Sequence, residues 1–478
     1  MSTPLWTADD AATALGCPAP SRDWTASGVS IDSRTLQPGD LFVALTGPHR
    51  DAHGFVADAL RGNAAAAIVS RRPENIAADA PLLVVPDTQA ALEALGAAAC
   101  ARSEARRIAV TGSVGKTGTK EMLRLVLGAQ APTHASVGSY NNLWGVPLTL
   151  ARMPRETVYG VFELGMNHAG ELAPLSRQVK PQVAIVTAIE AVHLEYFGSV
   201  AEIADAKAEI FAGMGPGGVA VLNRDNAHFA RLAKKAEAAG LARIVGFGSD
   251  ATAEARLIDC SLHATCSAVT AAIGGTRLDY CLAVPGRHWV MNSLAVLAAV
   301  QAVGADVGAA AASLARMTPP KGRGQRFRVA LDEGGFDLID ESYNANPVAM
   351  RAALAVLGRA TIKSGGRRIA VFGDMRELGV QAPLLHAGLA ADIAENKIDL
   401  VFCCGPMMAH LFEALPVARR GAHAADSAAL APVVRRAVRT GDTVLVKGSL
   451  GSRMAPVVEA LRALDTGGRE LPRVVNGS

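Results

Sequence analysis

The chain has 478 residues, half of them apolar and 19% charged, which excludes a disordered protein and, at about 150 residues per domain, leaves room for three domains with cores of their own. Its 47 basic and 44 acidic side chains give a formal charge of only +3, with no long Lys/Arg block, so a nucleic-acid partner is not expected. Seven scattered cysteines, odd in number and without a CxxC pair, argue against a secreted disulfide framework or a zinc ribbon and fit a cytoplasmic protein.

The first residues, MSTPLWTADD, carry acids where a signal peptide would carry basic residues, so export by that route is not expected. Short β-like runs (GVSIDSR, GDLFVALTG, AAAAIVS, PLLVVPDT) then alternate with Ala-rich helical ones and predict a small α/β domain over 1–107. RRIAVT (106–111) reads as a strand entering a glycine loop, and KEMLRLVLGA follows with apolar residues at helical spacing. VYGVFELG (158–165), QVAIVTAI (182–189) and GVAVLNRD (218–225) alternate with helical stretches, predicting a doubly wound parallel sheet in a central domain over 108–320. Within it, 293–315 is the most membrane-like stretch, but it is mostly alanine and contains Gln301 and Asp306. It suits a buried helix pair, and no membrane span is predicted. MTPPKGRGQR (317–326) has the composition of a hinge. FDLIDES, RRIAVFGD, IDLVFCCG and DTVLVKGS beyond it predict a second open, Rossmann-like α/β sheet over 321–478.

The strongest chemical signal is TGSVGKTGTK (111–120), between a predicted strand and a predicted helix. The backbone N–H groups of Gly112, Ser113, Val114 and Gly115 can cradle phosphate oxygens, Lys116 can reach terminal phosphates, and the Thr117 hydroxyl can bind Mg²⁺. The loop departs from the general P-loop spacing, with Val110 in the place of the first glycine. GMGPGG (213–218) also fits GxGxxG, but it follows a helix, precedes a strand and contains Pro216, the wrong polarity for dinucleotide binding.

Glu163 ends one predicted strand and His193 lies in the loop after the next, so together they can set a carboxylate and an imidazole beside a nucleotide-bound metal. Lys207 has Ile203, Ala204, Ile210 and Phe211 as its i±3 and i±4 neighbours, on the apolar stripe of its helix. Desolvation there favours the neutral amine, the form that can be carbamoylated; the alternative is a snorkelling lysine whose stem covers apolar surface. Asn292, in the first turns of a helix, is suited to a base edge or to a cap. IDESYNANP (339–347), GDMRELG (373–379) and KGSLGSRM (447–454) each end a strand, so three polar loops should share one rim.

Together these segments, with DSR (32–34), SYNNLWGVPLTL (139–150), ELGMNHAGE (163–171), VHLEYFGS and AKAEI, resemble the Mur ligase family along essentially the whole chain, and SYNNxxGVP, SYNANP and GDMxELG resemble its D-alanyl-D-alanine-adding branch. The resemblance implies three domains: a UDP-substrate domain, a P-loop ATPase domain and a C-terminal ligase domain. It implies ATP as substrate and Mg²⁺ at two sites. Lys116 and Thr117 would hold phosphate and metal, Glu163 and His193 would ligate magnesium, and Lys207 would be carbamoylated. Asn292 would meet the adenine, while Arg326 and either Asp340 or Glu341 would close over phosphate and ribose. Asp32, Ser33 and Arg34, with Asn141 and Asn142, would contact UDP-MurNAc-tripeptide, Tyr343, Asn344 and Asn346 are also expected to bind substrate, and D-Ala-D-Ala would be the second substrate. A monomer is expected. Another Mur ligase, a folylpolyglutamate synthase and a nucleotide-driven switch or transport ATPase are the rival readings.

Overall fold

In the computed structural model, which describes residues 3–18, 22–47, 50–192, 194–362 and 365–467, the chain builds three larger sheets in succession, beside two two-stranded ones. Four short strands, Gly28–Ser30, Asp40–Val43, Ala66–Val69 and Leu82–Val84, pair in parallel in chain order. Every residue of Asp40–Val43 and Ala66–Val69 is buried, as their continuous apolar runs require of strands covered on both faces. Helix Thr88–Ala101, capped by the Asp87 carboxylate, leads out of this unit and packs against helix Gly145–Ala151 of the next. The Trp6 indole N–H donates to Ala151 O at 2.9 Å across the same junction.

The central sheet has nine strands, in the order Thr133–Ala135, Tyr159–Glu163, Arg106–Thr111, Val183–Val186, Val219–Asn223, Arg243–Gly248, Ala255–Leu262, Ser267–Ile273, Thr276–Leu282. The first seven run parallel and the last two antiparallel, so the predicted doubly wound sheet is present and is extended by strands that the reading above did not identify. Their signature is local: burial alternates along Ser267–Ile273, and Gly274 and Gly275, at φ 55° and 87°, make the tight turn. Arg106–Thr111 lies inside the sheet, and its carboxyl end runs through the glycine loop into helix Lys116–Gly128. The expected buried helix pair is Arg287–Ala302 and Val307–Ser313, and among the described residues no helix is long and apolar enough to cross a membrane.

Residues 317–324 carry no regular structure, and Gly322 and Gly324 take φ of 69° and 102°. Beyond them a six-stranded sheet runs in the order Gln325–Leu331, Gly334–Glu341, Thr443–Lys447, Arg368–Gly373, Leu400–Cys404, Arg420–Ala424. Only the first strand is antiparallel to its neighbour. The loops after Glu341, Lys447 and Gly373 leave adjacent strands and bind one another: Ser449 N–H donates to Asp374 O, Ser449 Oγ to Ala345 O, and Arg376 N–H to Ser449 Oγ. The expected shared rim is therefore formed.

Candidate active site

The glycine loop is locked to the end of the strand beside it. Ser113 N–H donates to Ala188 O (2.8 Å), Ser113 Oγ donates to Glu190 O (3.1 Å) and accepts from Glu190 N–H (3.0 Å), and Thr187 Oγ1 donates to Val114 O (2.5 Å). Gly112, at φ 147°, leaves no room for a Cβ, which would collide with Thr187 Oγ1. Gly115, at φ 86°, begins the helix without a side-chain cap, so the first helical amides remain open to an anion. A Cβ on Gly115 would lie 2.7 Å from Asn292 Nδ2, so the buried Asn292 sits directly against the loop, and the Trp289 ring of the same helix packs on Gly118.

Three charged side chains meet behind this loop. Lys116 Nζ donates to Gly112 O at 2.7 Å; burial lowers its pKa, the charge of Glu163 opposes that shift, and Arg323 adds to it. Glu163 is 1% exposed, with Oε1 accepting from Asn141 Nδ2 at 2.8 Å and Oε2 buried without a partner. Lys207 is also 1% exposed, forms no ion pair among the described residues, and is held well below the ordinary lysine range by desolvation and then by the charge of Lys116. A buried carboxylate oxygen lacking a donor is completed by a cation, and a lysine that repels its neighbour is completed by becoming an anion. The donor set, with the Thr117 hydroxyl at the helix start, thus fits Mg²⁺ at Glu163 and a carbamate on Lys207. The expected ligand His193 lies outside the described residues.

Across the cleft, Arg326 presents Nε and Nη2 buried and without acceptors, beside the charges of Asp337 and Glu341. That is the donor pattern an anionic ligand would satisfy. Asp340 is buried and accepts from Ser342 N–H at 3.0 Å, whereas Glu341 pairs with Lys447 Nζ at 2.9 Å and is the more accessible of the two. Tyr343 stacks under Arg323, whose guanidinium carbon lies 4.3 Å from the ring centroid. Asn344 bonds its own loop, and Asn346 caps helix Pro347–Gly358 by accepting from Ala349 N–H at 2.9 Å. Central and C-terminal domains touch where Gly286, His288 and Val356 meet and where Gly379 approaches Glu195; Arg351 also acts on Glu190, whose pKa burial raises. Arg323, Glu190 and His288, which faces the charges of Glu341 and Lys447, had drawn no notice in the sequence, because only the fold brings them to the cleft.

On the N-terminal side, Asp32 accepts from Arg34 N–H, Nε and Nη2 at 3.0, 2.9 and 2.6 Å, a self-contained turn flanked by Ser33 whose arginine is 75% exposed. Tyr140 acts on the charge of Arg34, so this turn faces the 139–142 segment. There Asn141 orients Glu163, while Asn142 Oδ1 accepts from Gly145 N–H at 2.9 Å at the start of the next helix.

A parallel sheet with a phosphate loop, two lysines of which Lys207 is fully buried, and an unmatched carboxylate, faced by a second sheet across a glycine-containing connection, defines a nucleotide-dependent ligase of the Mur type. The sequence matches the Mur ligase family catalytic domain over residues 25–99, the Mur ligase middle domain over 110–300, and the Mur ligase glutamate ligase domain over 325–450. The chain belongs to the Mur ligase family. It is 38% identical over 442 residues, 92% of this chain and 94% of the relative, to the UDP-N-acetylmuramoyl-tripeptide–D-alanyl-D-alanine ligase of Escherichia coli, and 33% identical to the enzyme of that name from Bacillus subtilis, covering 91% of this chain and 93% of that relative. Among solved structures it is similar to MurF from Acinetobacter baumannii (TM-score 0.82, 31% identity, 96% of this chain and 99% of that one). It is also similar to the MurF ligase of Thermotoga maritima in complex with ADP (TM-score 0.74, 25% identity, 91% of this chain and 97% of that one).

Proposed function

We propose that this protein is the ATP-dependent ligase that joins D-alanyl-D-alanine to UDP-N-acetylmuramoyl-tripeptide, giving the pentapeptide precursor of peptidoglycan. The observation that carries the chemistry is the convergence of Lys116, Glu163 and Lys207 behind the glycine loop, with Glu163 Oε2 unpartnered. Near-full-length similarity to relatives of that name carries the choice of substrates.

In this reading the peptide carboxylate attacks the γ-phosphorus of ATP and expels ADP, and the acyl phosphate formed is attacked by the dipeptide's neutral amine through a tetrahedral intermediate that loses the amine proton and expels phosphate. Carboxylate, γ-phosphate and developing oxyanion are all negative, so the residues must first remove repulsion. Lys116 and the open amides after Gly115 do this at the phosphates, and Arg326 supplies two unmatched donors from the other side. Asn292, set against Gly115, meets the adenine, and Glu341 or Asp340 holds the ribose. Mg²⁺, when bound by Thr117, Glu163, His193 and a carbamoylated Lys207 at two sites, supplies the positive charge that lets these anions approach. Asp32, Ser33, Arg34 and the 139–142 segment hold the UDP-tripeptide, and the loop of Tyr343, Asn344 and Asn346 adds substrate contacts from the C-terminal domain.

Division of labour follows boundaries near residues 107 and 320, and closure about 317–324 keeps water from the acyl phosphate. The protein acts as a monomer in the cytoplasm, in line with seven scattered cysteines without a CxxC pair. The test is a reaction with ATP, Mg²⁺, UDP-MurNAc-tripeptide and D-Ala-D-Ala, omitting each in turn. UDP-pentapeptide should form only in the complete mixture, together with stoichiometric phosphate. Product with a single amino acid, or phosphate without product, would overturn the assignment.

A further inference from the structure

Outside the cleft, Cys260, Cys266 and Cys281 gather on the antiparallel extension of the central sheet, around an open cavity of about 540 Å³ that Asp259, His263 and Tyr280 also line. Ser267 stands opposite Leu282 and Ala268 opposite Cys281, so Cys266 and Cys281 share one face of the hairpin along a diagonal. The Cys281 thiol acts on that of Cys266, and both residues are partly exposed. Adjacency in sequence does not produce this arrangement. Cys403 and Cys404 are neighbours in strand Leu400–Cys404, but they point to opposite faces and are buried in two different cores.

We propose that Cys266 and Cys281 are a redox pair that closes to a reversible intramolecular disulfide when the protein meets a small disulfide oxidant such as glutathione disulfide. The Cys281 thiolate attacks one sulfur of the oxidant and releases a glutathione thiolate. Cys266, once deprotonated, attacks the Cys281 sulfur of the mixed disulfide and releases the second glutathione. Two protein thiols thereby lose two electrons, the oxidant's S–S bond is reduced to two thiols, and the two protons pass to the departing thiolates. Burial, and then the neighbouring Cys281, push the Cys266 thiol up, which suits it to the second, intramolecular step and makes closure faster as pH rises.

The bond would tie the edge strand Thr276–Leu282 to its neighbour. Tyr280, next to Cys281, shares a 2.6 Å hydrogen bond with Ser293, on the helix that presses Asn292 against the glycine loop. Oxidation therefore braces the support of the nucleotide site and should raise the unfolding midpoint.

The folded full-length protein is incubated with glutathione disulfide at about pH 8, remaining thiols are blocked with iodoacetamide, and the peptides are mapped by mass. A linked peptide joining Cys266 to Cys281, reversed by dithiothreitol and absent in C266S and C281S, is expected. The unfolding midpoint of wild type should rise on oxidation, and that of either variant should not. The proposal is overturned if both cysteines still take the alkylating label, if Cys266 pairs with Cys260 instead, or if glutathione remains attached to either cysteine as a mixed disulfide. The wild-type map needs no variant, so a poorly folding mutant does not blunt the test.

Discussion

Both large sheets bring polar loops to the carboxyl ends of parallel strands, yet they treat buried charge in opposite ways. On the C-terminal rim Lys447 is matched by Glu341 and by Asn344 O, and His386 accepts from Met375 N–H while its other nitrogen bonds Ala382 O. At the base of that sheet Asp442 is matched by Arg367 through two bonds. On the central rim, among the described residues, Glu163 Oε2 has no donor and Lys207 has no ion-pair partner. Burying an unpaired charge costs several kcal/mol. A fold that retains such groups together, beside a phosphate loop, has left them for ligands; matched charges, by contrast, hold loops in place. Arg326 is a C-terminal exception, and its two unmatched donors mark where the second sheet joins the site.

The sharpest way to break this contrast is at the unmatched groups. Lys116→Met should lower kcat about 10³-fold, because a charge aimed at the transferring phosphoryl group is lost, and Glu163→Gln should cost about 10²-fold or more. Both are read from UDP-pentapeptide formation at saturating ATP. A loss below tenfold for either would place the reacting phosphate elsewhere.

Lys207 separates function from stability. Lys207→Met should reduce ligation about 10²-fold and at the same time raise Tm by a few degrees in bicarbonate-free buffer, since it removes a buried amine that has no ion-pair partner among the described residues. The sign follows from the depressed pKa: below the ordinary lysine value the unfolded chain binds a proton that the folded chain refuses, so the wild-type group destabilises the fold increasingly as pH falls. Carbon-13 bicarbonate should label wild type at this residue and leave the variant unlabelled. An unchanged or lower Tm would mean that Lys207 has a partner after all.

How much of this was legible beforehand follows the same division. The strand, glycine loop and helix around Lys116 were legible because polarity and periodicity are local, and Lys207 because its i±3 and i±4 neighbours are all apolar. The orphaned oxygen of Glu163 was not, since it depends on Asn141, which lies 22 residues away, taking only one of the two oxygens. Asn142 and Asn346 illustrate the converse: both sit in conspicuous motifs, yet their side chains are occupied at helix starts. The antiparallel strands 255–282 lacked the continuous apolar runs that mark parallel ones, although the Gly274–Gly275 turn between alternating segments was a usable signal.

A milder effect is expected at Arg326. Arg326→Lys keeps the charge but cannot reproduce the paired Nε and Nη2 donors, so the KM for ATP should rise about tenfold while kcat changes less. An equal fall in kcat would move the arginine from binding the nucleotide to stabilising the transition state.

The smallest effect should come from a charge that is matched. In the N-terminal domain Asp51 accepts from His53 N–H at 3.0 Å, pairs with Arg71 and bonds His53 Nδ1, while His53 Nε2 accepts from Ser70 N–H at 2.8 Å. These bonds tie a loop to the end of strand Ala66–Val69. The hydrogen bond from His53 N–H, and then Arg71, hold the Asp51 carboxyl well below the usual range, so its stabilisation is present above about pH 4, the unfolded value, and fades as pH falls toward the folded one. Asp51→Asn should therefore lower Tm slightly at neutral pH, flatten the acid limb of the stability curve, and leave kcat within about twofold, because the carboxylate is partly exposed and solvent-screened. A loss of activity out of proportion to the change in Tm would show that matched charge alone does not identify scaffold in this fold.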